Sequence, residues 1–98
     1  MSKSVKYTPE ADFDRFITDV KGAVGKVKEP ERLDGALKEL CKLLLDPEMK
    51  MQSAPDSQVW RLLMGLNIAG NLSEDEMYTL ARQFADISVN LYPIEDDA

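Results

Sequence analysis

Apolar residues recur along this chain at spacings of three and four, and that rhythm marks out four helical segments. In the first, Phe13, Phe16, Ile17, Val20, Val24 and Val27 fall on one stripe at about 100° per residue. Thr8 is placed to cap this helix. Pro9 suits the first helical position, where a missing N–H is no loss. Gly22 and Gly25 weaken the pattern, by about 1 kcal/mol each relative to alanine. Gly22 lies opposite the stripe, which predicts a bend or a frayed end there.

A second helix is expected from Pro30, because Glu29 precedes a proline and is pushed out of helical geometry. Leu33, Leu37, Leu40 and Leu44 form its inner stripe, widened by Ala36, Cys41 and Leu43, and Asp46-Pro47 ends it. Residues 46–55 then read as an irregular connection between two helical hairpins, with room for a short extra turn near Glu48 to Met51.

The third helix is expected from Asp56 or Ser57 to Gly70, with Val59, Leu62, Leu63, Leu66 and Ala69 facing inward. It also carries a second apolar row, Trp60, Met64 and Ile68, turned about 100–180° from the first. A helix apolar nearly all round is either central in the fold or covered by a partner. The fourth helix opens on Ser73-Glu74-Asp75-Glu76, the pattern of a capping box, with Leu72 placed to staple onto Met77. Met77, Leu80, Ala81, Phe84, Ile87 and Leu91 form its stripe, and Pro93 marks its end. No alternating strand pattern competes.

These segments predict one all-α domain over residues 1–98, a small four-helix bundle-like arrangement of two hairpins. Residues 1–7 are expected as an N-terminal tail and 93–98 as an acidic C-terminal tail.

Charge changes the picture in one respect. The net charge is −6, yet residues 1–50 carry ten basic and ten acidic residues, whereas residues 51–98 carry two and eight. So acidic a second half is a poor match to nucleic acid and a better match to a basic protein surface. Plain solubility also accounts for it. The basic, polar start and the absence of a long apolar run point to a cytoplasmic protein with no signal peptide or membrane span.

Chemistry is sparse. With no histidine, the usual triads, histidine-bound zinc and the common neutral-pH base are missing. The single Cys41 lies at the edge of an apolar stripe and reads as a small core residue. Asp34 and Lys38 are spaced as a helix-surface ion pair. Asn71, Ser73 and Asp75 resemble the start of a calcium loop. However, Glu76 stands where that loop needs glycine and Arg82 where it needs glutamate. No catalytic, metal or cofactor site is therefore expected.

The remaining expectation is a non-enzymatic, regulatory protein-binding module, which occupies a partner's surface or pairs as a homodimer. Trp60, Met64 and Ile68 would supply the contact, and the acidic residues Glu74, Asp75 and Asp86 its orientation. An acidic mimic of nucleic acid that blocks a DNA- or RNA-binding protein is the alternative. A helical binder of a small ligand is the third reading.

Overall fold

The computed structural model describes residues 8–92, so both expected tails, 1–7 and 93–98, lie outside the described residues. The described chain is all helix and connection: α1 (Glu10–Ala23), α2 (Pro30–Leu45), α3 (Pro47–Ser53), α4 (Pro55–Ile68) and α5 (Glu74–Leu91). The longer helices pack as α1 on α2 and α5, and α4 on α2 and α5, while α3 lies on α2. Among the described residues there is no strand, and no helix is long and apolar enough to cross a membrane.

One core joins the four long helices. Phe13, Phe16, Ile17 and Val20 of α1 share it with Leu37, Leu40 and Leu44 from α2, Val59 and Leu63 from α4, and Leu80, Phe84 and Ile87 from α5. The rings of Phe16 and Phe84 lie 5.2 Å apart and tilted at 52°, a favourable offset for two quadrupoles. Cys41 belongs to this core. Burial, aided by Asp14, pushes its thiol up to about 12, so it stays protonated and unreactive at neutral pH.

Three boundaries differ from the sequence pattern. Thr8 is exposed and no side chain caps α1; instead Pro9 already has helical dihedrals, and its carbonyl accepts from the Phe13 amide at 2.8 Å. At the other end α1 stops at Ala23, just past Gly22, as fraying there would suggest. Val24 and Val27 still pack against the core, but from the extended connection and not from a helix face.

The third difference is α3. Residues 46–55 are not an irregular connection; the short turn for which the pattern left room near Glu48 to Met51 is a helix of two turns, capped by Asp46, which accepts from the amides of Glu48 (3.1 Å) and Met49 (3.4 Å). Pro47 at the first position and Glu48 in the first turn complete a start signal. Its outward methionines left no stripe to detect: Met51 is 88% exposed, and neither Met49 nor Met51 joins the core.

Helix ends elsewhere follow the pattern. Ser73 and Glu76 form the reciprocal capping box, the Glu76 amide donating to Ser73 Oγ at 3.2 Å. Leu72 and Met77 are both buried beside it. Gly70, at φ +84°, ends α4: its amide donates to the Asn67 carbonyl and the Asn71 amide to the Leu66 carbonyl, the two bonds of a Schellman motif. Asp34 accepts from Lys38 (2.9 Å) within α2 and from Lys21 of α1 (3.1 Å), and both hold its carboxyl below the ordinary aspartate value. The expected ion pair thus also ties α1 to α2.

Candidate protein-docking face on α4 and α5

The helix expected either at the centre of the fold or against a partner is not at the centre. α4 buries only Pro55, Val59 and Leu63, with Leu62 and Leu66 half-buried beside them. Its second apolar row faces outward: Trp60 is half-buried, Met64 is 37% exposed and Ile68 79% exposed. Met64 and Ile68 thus lie outside the core, while Trp60 packs partly against it.

The start of α4 helps explain its placement. No side chain caps it, and Ala54 before it adopts left-handed dihedrals, φ 47° and ψ 70°. Pro55 requires its predecessor to leave helical geometry, so α3 and α4 cannot run on as one rod. α4 therefore sets off in a new direction, with Val59 and Leu63 toward the core and the Trp60 row toward α5 and solvent.

On α5 the row meets Tyr78. The rings of Trp60 and Tyr78 lie 5.4 Å apart at 45°, and Tyr78 is 55% exposed. Trp60, Met64, Ile68 and Tyr78 thus make one aromatic and aliphatic surface across the α4–α5 hairpin. The sequence pattern alone missed Tyr78. Its signal was positional: it lies about 100° off the position of Met77 and four residues after Glu74, off the buried stripe.

The expected acidic residues are only partly gathered there. Glu74 and Asp75 are exposed in the first turn of α5, one turn before Tyr78. Asp86 is elsewhere: it lines the α1–α5 groove with Asp12, Arg15, Gln83 and Asn90. The groove continues past Gln83, which donates to Asp19 at 3.2 Å, into an open hollow of about 520 Å³ bounded by Asp19 and Glu76. Of the six residues expected to act together, Trp60, Met64 and Ile68 thus lie on α4, Glu74 is on the Tyr78 ridge of α5, and Asp86 is in the α1–α5 groove, with Asp75 only about 20° from Asp86 around the helix. Among the described residues no cluster of histidine, cysteine and acidic side chains could hold a metal ion.

No protein-family model, no curated protein and no solved structure matches this chain.

Proposed function

We propose that this chain is a non-enzymatic protein-binding module that docks through the α4–α5 face. The observation that carries the reading is the exposure of Ile68, Met64 and Tyr78 side by side with Trp60 on the surface of a well-packed domain. Contiguous exposed apolar surface rimmed by charge is the mark of an interaction site. Tryptophan and tyrosine supply large contact area, and methionine adapts to the shape it meets. Glu74 and Asp75, at one end of the face, would orient a partner and speed its arrival.

Affinity capture from native host lysate tests this with three baits: the parent chain, Ile68→Glu and Tyr78→Glu. Both substituted side chains are exposed, so folding should persist by circular dichroism. The expected result is a bound protein lost with both variants; one retained by both would overturn the reading.

A second reading rests on the α1–α5 groove. Asp12, Asp19, Glu76 and Asp86 line it, and Arg15 stands 4.0 Å from Asp12. This is where a mimic of nucleic acid would present its carboxylates. Such a complex should dissociate steeply as salt rises, whereas one made on the α4–α5 face should not.

A further inference from the structure

We infer that the partner of the α4–α5 face is a second copy of this chain, with α5 packed against α5 about a two-fold axis at Tyr78. The inference rests on the docking reading above and names its occupant. Its basis is the charge order along one ridge of α5.

Glu74, Tyr78 and Arg82 stand at positions i, i+4 and i+8, and all three are exposed. Residues four apart form a ridge inclined to the helix axis, and the commonest helix crossing, near −50°, interdigitates two such ridges. A rise of about 1.5 Å per residue sets Glu74 and Arg82 each about 6 Å from Tyr78, in opposite directions. An antiparallel two-fold at Tyr78 then places Arg82 opposite Glu74 of the partner subunit, and Glu74 opposite Arg82 of the partner subunit. One patch serves both copies, as an isologous interface requires. A parallel arrangement would instead set Glu74 against Glu74 and Arg82 against Arg82.

Three features of the fold support this pairing. Arg82 is the one cation of α5, among Glu74, Asp75, Glu76 and Asp86. Neither Arg82 nor Glu74 forms an ion pair within the described residues, whose ion pairs are Asp12–Arg15, Lys21–Asp34, Glu29–Arg32 and Asp34–Lys38. Trp60 backs the Tyr78 ring, which fixes an aromatic pair at the axis. A partner with a uniformly basic surface would meet Arg82 as a like charge. A single crossing of two helices is a small contact beside the roughly 800 Å² per partner of a standard interface, so a weak and reversible dimer is expected.

Sedimentation equilibrium of the full chain, from about 10 μM to about 1 mM, reads the assembly directly. The mass should rise from one chain to two. Arg82→Glu should weaken association about tenfold, as should Glu74→Arg, by turning two attractive contacts into two repulsive ones. The double variant, E74R/R82E, should restore the parent affinity, which a role confined to one chain would not do. Circular dichroism checks that each variant keeps its helices.

A monomer throughout the range overturns the inference, and so does a double variant no better than the singles. The docking reading fails separately, through the Ile68→Glu and Tyr78→Glu baits. A chain that stays monomeric yet loses a different bound protein with those variants keeps the face and refutes the second copy as its occupant.

Discussion

α4 and α5 lie side by side in one hairpin, yet they are held by different means. α5 starts on a complete capping box and buries Met77, Leu80, Phe84 and Ile87 along one stripe. α4 starts beside a left-handed alanine with no side-chain cap, buries Val59 and Leu63, and carries Met64 and Ile68 outward. The difference shows that apolar content and burial are separate quantities. α5 is fixed by its own ends and its own face. α4 is fixed by its neighbours, and its surplus apolar surface, Met64 and Ile68, stays exposed.

The largest test of that contrast is Phe84→Ala. Phe84 is fully buried against Phe16, so the change should cost about 3–5 kcal/mol in a denaturant melt. Trp60→Ala should cost less, about 2 kcal/mol, because the ring is half-buried and rests on exposed Tyr78. A loss as great as that of Phe84 would make Trp60 a core residue and erase the distinction between the helices. Ser73→Ala removes the cap of α5 and should cost about 1 kcal/mol by the same melt. Unchanged stability would show that α5 does not depend on its own terminus.

The smallest effect has the opposite sign. Ala54→Gly relieves a left-handed alanine, and that relief outweighs the extra freedom glycine gives the unfolded chain. The melt should rise by about 0.5 kcal/mol. A fall would mean that the entry to α4 is less strained than its dihedrals imply.

Much of the fold was legible in the pattern because periodicity reports which residues share a face. The stripes of α2 and α5 are buried as spaced, and Pro30 and Ser73 mark their starts. α3 was legible only as room for a short turn near Glu48 to Met51, for a physical reason: neither Met49 nor Met51 joins the core, so no stripe records the helix, and its start signal lay in Asp46-Pro47-Glu48. Val24 and Val27 mimicked helical spacing because a connection crossing the core also needs apolar contacts. At the candidate site the Trp60 row was visible, but its direction was not. Periodicity gives the angle between two apolar rows and not which of them meets the core. Asp86 was grouped with Glu74 and Asp75 by charge, although helical geometry sets it about 120° from Glu74 and only Asp75 close to it, and it lines the groove toward α1.

The two connections at one end of the domain are tied to each other. The Gly25 amide donates to the Asn71 carbonyl at 3.1 Å, and Asn71 Nδ2 donates back to the Lys26 carbonyl at 3.3 Å. Residues far apart along the chain thus share a pair of hydrogen bonds there, and neither hairpin can splay open at that end without breaking them. The Gly25 amide, although in a surface connection, should therefore exchange its proton with solvent on the slow timescale of cooperative unfolding. The opposite end has its own tie, where the Tyr92 hydroxyl donates to the Leu44 carbonyl at 2.8 Å and Lys50 of α3 lies 4.1 Å over the Tyr92 ring.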